Sequence, residues 1–312
     1  MTPRLRLPKV GRSTPRDESV PDNDRGIVSD FDRKKPGVRA VMAIVHVVLA
    51  VGLVVAGLGP IIWLAKAEIT PPQDTISTPL QFFPNGVKWE NLVQAWTEVH
   101  IDQYFLNTLI VAAGSWFFQL LIATTAGYAL SVLRPRYAPI LNAAVLATLF
   151  IPSIVLLVPL YLTIVHPPIG QSLLNNYLAV WLPAAANAFN ILLVKRFFDN
   201  LPREVFEAAR TDGAGPFRLF WSVVLPMSRP ILGVVSVFAI INSLKDYLWP
   251  MLVLPDPAVQ TLGVRLPAIQ SQTELGVFMA ALAISTIIPV VLFLAFQRVF
   301  LRGAGLGGAV KG

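Results

Sequence analysis

The chain has 312 residues, of which 54% are hydrophobic and 14% charged, and its mean hydropathy is +0.62. A soluble domain carries about 25% charged residues, so this sequence cannot coat a water-facing surface and reads as a chain solvated mostly by lipid. The net charge of +7 leaves nucleic acid binding open until the basic residues are placed; the absence of cysteine excludes disulfides, thiolate metal sites and cysteine nucleophiles.

In chain order, the segment before the first apolar stretch holds ten basic residues through Arg39 and six acidic ones. Residues 1–38 therefore read as a disordered cytoplasmic tail; the charged region is too long for a signal peptide. Five stretches then carry no Asp, Glu, Lys or Arg: 40–65, 103–133, 137–194, 230–244 and 275–297. A spanning helix needs about 20 apolar residues, so 137–194 holds two spans, divided at His166–Gly170. The stretch 230–244 is long enough if its helix begins near Val223 with Arg229 at the headgroup level. The expected architecture is an all-α, six-span transmembrane domain over 39–301, with spans at roughly 40–65, 105–132, 138–164, 173–196, 224–248 and 276–300.

With six spans both termini share one side, and 21 of the 25 basic residues fall there, in the tail, 133–137, 195–230 and beyond 297. The positive-inside rule makes that side cytoplasmic. Topology thus accounts for the positive charge, and nucleic acid is not an expected partner. On the outer side, Trp89, Trp96, Glu90, Glu98 and Asp102 predict short amphipathic helices in the loop 66–104.

The span interiors contain no charged side chain that could hold a driving ion or relay a proton, and His46 is the lone titratable candidate. No HExxH, GxSxG or metal-ligand cluster points to an intramembrane enzyme, and the glycine-rich end lacks the Gly-Lys-Ser/Thr of a phosphate loop. The chain is therefore expected to bind no cofactor and no metal, and any ATP sits on a partner. The spans do hold neutral polar groups. Tyr128, Asn187, Asn190, Asn242 and Trp249 are candidate path residues, since amides could bind a neutral polyol by satisfying its hydroxyls; helix-to-helix hydrogen bonding is the alternative use. Pro152, Pro159, Pro183 and Pro230 are candidates to shape the path.

The most informative segment is NLPREVFEAARTDGAGPFRLFWSVVLPMSRP, Asn200 to Pro230. Pro202 fits a first helical turn and Gly213 the left-handed residue past a helix end. Val205, Ala208 and Ala209 share a face, where two alanines admit another backbone, Phe206 could fill a pocket and Glu207 could pair with a cation. That pattern fits a protein-docking helix or one lying on headgroups. Gly215-Pro216 breaks the helix before the next element.

Glu207-Ala208-Ala209, Asp212-Gly213-Ala214 and Leu225-Pro226 resemble the EAA signature of the membrane subunits of binding-protein-dependent ABC importers. The resemblance extends to Asn107-Thr108, Ala126 to Leu130, Pro159-Leu160-Tyr161, Asp246 to Pro250 and Gly308 to Gly312, which are similar to the maltose-type carbohydrate branch. Lys245-Asp246 stands where that family often has Trp-Asn. The resemblance implies a type I importer permease that makes no covalent bond and moves a sugar by alternating access. It also implies a coupling loop at about 197–222 whose helix sits in a groove of a cytoplasmic ATPase. Phe206, Glu207, Ala208, Ala209, Asp212 and Gly213 are the expected ATPase-contacting positions. Gly308 and Lys311, in the glycine-rich tail 302–312, are expected at the same interface. The implied partners are a second homologous permease chain, two ATPase subunits holding ATP and magnesium, an external solute-binding protein and its sugar, in a bacterial inner membrane. A permease for another solute, such as an amino acid or polyamine, and a non-transporting membrane scaffold or receptor are the alternatives.

Overall fold

The computed structural model describes residues 35–79, 81, 83 and 85–305; for Phe293 and residues 296–305 it gives the backbone course alone. Residues 1–34 of the predicted tail and 306–312 of the glycine-rich end, with Gly308 and Lys311, lie outside the described residues. Among the described residues every regular element is helical. The chain divides into two compact units, 1–60 and 61–312.

Helix α1, Pro36–Ala67, supplies the described part of the first unit. It is apolar around its whole circumference, and Val41, Val48, Leu53 and Val55 are exposed, the pattern of a helix that meets lipid on all sides. His46 uses its Nδ1 to donate to the carbonyl of Met42 one turn back, at 2.6 Å, and so serves its own helix.

The second unit begins with two short helices, α2 (Pro72–Ser77) and α3 (Glu90–Thr97). Asn91 and Ala95 of α3 are buried, while Trp89, Val93 and Trp96 are exposed, so the expected amphipathic helix is present. Helix α4, Ile101–Tyr128, continues through one π-helical turn to Leu133 and is the central pillar. The remaining spans are α5 (Ala138–Thr148) with α6 (Ser153–Val165), α7 (Leu178–Ala185) with α8 (Ala188–Asp199), α12 (Arg229–Lys245) and α15 (Leu275–Gly305). Between α8 and α12 lie α9 (Arg203–Thr211), α10 (Pro216–Leu219), a π-helical turn and α11 (Leu225–Met227); between α12 and α15 lie α13 (Leu248–Val253) and α14 (Leu262–Ile269). Helix α4 packs against α7, α8 and α12, and α12 against α15.

The six predicted spans are present as six apolar passages, but only α1, α4 and α15 are continuous helices. The third bends by 108° between α5 and α6, the fourth by 45° between α7 and α8, and the fifth by 79° between α10–α11 and α12. Proline explains where they break: its missing N–H and its ring disrupt the preceding turn. Pro152 ends the first break, Pro183 lies one turn before the second, and Pro226 and Pro230 flank the third. Within the fifth passage α12 is the longer limb, its 17 residues rising about 26 Å, and the expected start near Val223 falls in the limb before the bend.

Polar side chains fasten the end of the bundle opposite α9. The Asn107 amide donates to the carbonyls of Ala258 and Gln260 at 2.9 and 3.0 Å and accepts from the Tyr177 hydroxyl at 2.7 Å. Thr108 Oγ1 accepts from the Leu262 N–H at 2.9 Å. The Asn107-Thr108 pair thus clamps the loop before α14 to the start of α4. Farther along α4, Gly114 lets Trp181 of α7 lie against the helix, where a Cβ would come within 2.0 Å of the indole. Gly114→Ala is expected to cost about 1–3 kcal/mol through overpacking and to lower the thermal midpoint of the detergent-purified protein. Gly52→Ala, where a Cβ meets nothing within 4 Å, should not; equal midpoints for the two variants would show that the close approach is absent.

Candidate functional site

A cavity of about 450 Å3 lies where two broken spans and the end of a third meet. Its wall takes Thr148, Ile151 and Ser153 from the α5–α6 break and Pro183, Ala184 and Asn187 from the α7–α8 break. Ser115 and Gln119 come from α4, and Asn242, Ser243 and Asp246 from the end of α12. A helix break strips backbone groups of their partners, and such backbone is tolerated at membrane depth only inside protein or beside a wet cavity. Here side chains repair it. Asn187 caps α8 by accepting from the Asn190 N–H at 3.0 Å. Gln119 donates to the Ala184 carbonyl at 2.7 Å and accepts from the Asn190 amide at 2.9 Å. Asp246 accepts from the Trp249 N–H at 3.4 Å at the start of α13. By contrast, the hydroxyls of Ser115 and Ser243 and the amide oxygen of Asn190 are buried with no hydrogen-bond partner.

Of the candidate path residues, the structure brings Asn187 and Asn242 to this cavity and puts Asn190 one hydrogen bond behind it. Tyr128 and Trp249 are elsewhere. The Trp249 indole donates to the Ala179 carbonyl at 2.9 Å, joining α13 to α7. The Tyr128 hydroxyl donates to the Pro216 carbonyl at 2.8 Å, with its ring 5.0 Å from that of Phe220, so it ties the foot of α4 to the segment after α9. Sequence reasoning missed Ser115, Gln119, Thr148, Ser153, Ser243 and Asp246 as one group; the signal was Pro152 and Pro183, which mark the breaks that the polar groups surround.

The second part of the site is the segment from α9 to α11. Glu204 in the first turn of α9 and Arg210 in the last suit the helix dipole. The helix ends at Gly213, whose φ of 77° is left-handed. The Gly213 N–H donates to the Arg210 carbonyl and the Ala214 N–H to the Ala209 carbonyl, at 3.0 and 2.9 Å, the paired bonds that close a helix end on glycine. Phe206, read from the sequence as an aromatic that could fill a pocket of a docked protein, is 9% exposed and belongs to a core cluster of this chain with Phe198, Leu219, Phe220 and Val224. At 3.6 residues per turn, Phe206 and Ala209 face the bundle, which leaves Glu204, Glu207, Ala208 and Thr211 exposed beside Asp212 and Gly213. Glu204 and Thr211 were missed, although their spacing from Glu207 puts them on its face. Asp199, at the end of α8, binds Lys195 Nζ and Ser131 Oγ, each at 2.7 Å, and Arg134 at 3.4 Å, fixing α8 to the turn that follows α4.

A model of the family described as binding-protein-dependent transport system inner membrane component matches residues 119–305. The sn-glycerol-3-phosphate transport system permease protein of Yersinia pestis bv. Antiqua is 29% identical over 268 residues, covering 83% of this chain and 94% of the relative. The diacetylchitobiose uptake system permease protein of Streptomyces coelicolor is 29% identical over 268 residues, covering 83% and 86%. Among solved structures, a chain of a bacterial ABC transporter involved in the import of the acidic polysaccharide alginate superposes with a TM-score of 0.74 at 22% identity, over 88% of this chain and 98% of that one.

Two contrasts test the site. Gln119→Leu orphans a buried carbonyl and a buried amide, at about 1–3 kcal/mol each, and should lower the thermal midpoint sharply, whereas Ser115→Ala removes an unpartnered hydroxyl and should not. Phe206→Ala should cost about 3 kcal/mol, while Glu207→Ala should leave the midpoint unchanged; a destabilising Glu207→Ala with a neutral Phe206→Ala would reverse the assigned faces.

Proposed function

From the premise that the chain belongs to the family of binding-protein-dependent transport system inner membrane components, we propose that it carries a sugar or oligosaccharide inward by alternating access. In this reading it pairs with a second homologous permease chain, two ATPase subunits that bind ATP and magnesium, and an external solute-binding protein. It is a membrane permease subunit, not an enzyme.

One observation carries the mechanism: the same helices reach both parts of the site. Helix α8 runs from Asn187 at the cavity to Asp199 beside the α9 segment, and α12 runs from Arg229 just after that segment to Asn242 at the cavity. A rigid displacement of α9 is therefore transmitted by two short helices to the cavity wall. Phe206, buried with Phe198 of α8 and Val224, makes the α9 segment move with those helices, while the Tyr128–Pro216 hydrogen bond ties the segment to the foot of α4 and the Asp199 cluster fixes α8 to the turn after α4. Its exposed face, Glu204, Glu207, Ala208 and Thr211 with Asp212 and Gly213 at the tip, is the surface offered to the ATPase; Ala209 supports it from beneath. The charge distribution puts this face and both termini in the cytoplasm. The sugar rests on the neutral amides and hydroxyls of the cavity and on relatives that include a diacetylchitobiose uptake permease.

The test is ATP hydrolysis and uptake by proteoliposomes of this chain co-purified with its co-expressed partners, with and without binding protein. Ala208→Trp puts a large ring on an exposed position of the docking face and should abolish co-purification of the ATPase and binding-protein stimulation without lowering the thermal midpoint. Gly213→Val strains the left-handed residue and should weaken both. Retention of the ATPase and of stimulation in both variants would favour the scaffold reading.

A further inference from the structure

We infer that the cavity selects against anions, so that the cargo is an uncharged glycan; this rests on the importer reading and narrows its substrate class. The relatives do not decide the point, because their names cover both a phosphorylated polyol and an uncharged amino-sugar disaccharide, and the structural neighbour imports an acidic polysaccharide.

The cavity's own chemistry does decide it. Its polar wall consists of hydroxyls and amides, from Ser115, Gln119, Thr148, Asn187 and Asn242 among others, with one ionisable group, Asp246. Among the described residues no Lys, Arg or His lines it, and Lys245, the residue before Asp246, is exposed and outside the lining. A phosphate or carboxylate entering this space loses water and meets no cation there, and negative charge on Asp246 opposes it. Asn242 and Asp246 stand four residues apart at the end of α12, so the carboxylate lies beside the amide that a solute would contact. An uncharged glycan fits the same wall. The unpartnered Ser115 and Ser243 hydroxyls, with Ser115 only 2% exposed, both donate and accept, as sugar hydroxyls do. The Asp246 carboxylate has acceptor capacity beyond its single bond to the Trp249 N–H and can take a sugar O–H.

The cysteine-free sequence permits a direct test in the full chain, assembled with its co-expressed partners. Asn242→Cys, and Ser243→Cys as a second cavity position, are reacted with a cationic trimethylammonium methanethiosulfonate and an anionic sulfonate methanethiosulfonate, with modification of this chain followed by mass spectrometry. Ser77→Cys, exposed outside the cavity, gives the intrinsic reactivity ratio of the two reagents. The cation-to-anion rate ratio in the cavity is expected to exceed that at Ser77→Cys by about tenfold or more, and to fall toward it when Asp246→Asn is added. A cavity ratio equal to that at Ser77→Cys, or one unaffected by Asp246→Asn, overturns the inference. ATP-driven uptake of sn-glycerol 3-phosphate or an alginate oligosaccharide by the wild-type complex overturns it too. Failure of the importer reading looks different: hydrolysis and uptake are then insensitive to Ala208→Trp, whereas the reagent ratio still reports the charge of the cavity.

Discussion

The structure depends on one constraint, that a backbone N–H or carbonyl inside a membrane must be satisfied by protein or face a wet cavity. A continuous helix meets it internally, and α1, α4 and α15 do so. The other three passages do not, because prolines interrupt them, and the breaks leave backbone groups that side chains must satisfy. At the α7–α8 break the repair is Asn187 and Gln119. The remaining unsatisfied polarity surrounds an open space, and the cavity is therefore a consequence of how the spans fail to be straight.

The same logic links the cavity to the docking segment. A span broken in the middle yields two short rigid rods in place of one long helix, and α8 and α12 are such rods, each with one end at the cavity and the other beside α9. The α9 segment is held by apolar burial of Phe206 and by the Tyr128 hydroxyl on Pro216, and the Asp199 cluster locks the foot of α8 to the turn after α4. Movement of the segment without the helix feet would therefore disrupt packing and hydrogen bonding together. Two π-helical turns, Ala129–Leu133 and Phe220–Val224, flank this junction. Such turns often mark functional sites, and here they set the direction in which α4 and the docking segment approach each other.

Much of this was legible in the residues. The six apolar passages follow from where charge is absent, and the end of α9 follows from Gly213, since only a left-handed residue closes the helix there. The short helix α9 and its glycine end were recognisable from Glu207-Ala208-Ala209 and Gly213. Its facing was not: Phe206 reads as an aromatic that could fill a partner's pocket until its neighbours Phe198 and Phe220, each beyond a helix break, are placed beside it. Tyr128 and Trp249 have the chemistry of sugar-binding residues, yet each spends its one donor on a backbone carbonyl of another helix. Asn107 likewise proves to be a clamp.

Sequence by itself determined which segments enter lipid, which side collects positive charge and where helices stop, because hydropathy, charge and the conformational limits of proline and glycine act over a few residues. Only the tertiary structure decided which polar groups share a cavity and which face of α9 is free. Ser115, Asn187 and Asp246 come from three different spans, and their proximity is set by how broken helices pack. That packing arises from many distant contacts, such as the fit of Trp181 against Gly114, that no local pattern encodes.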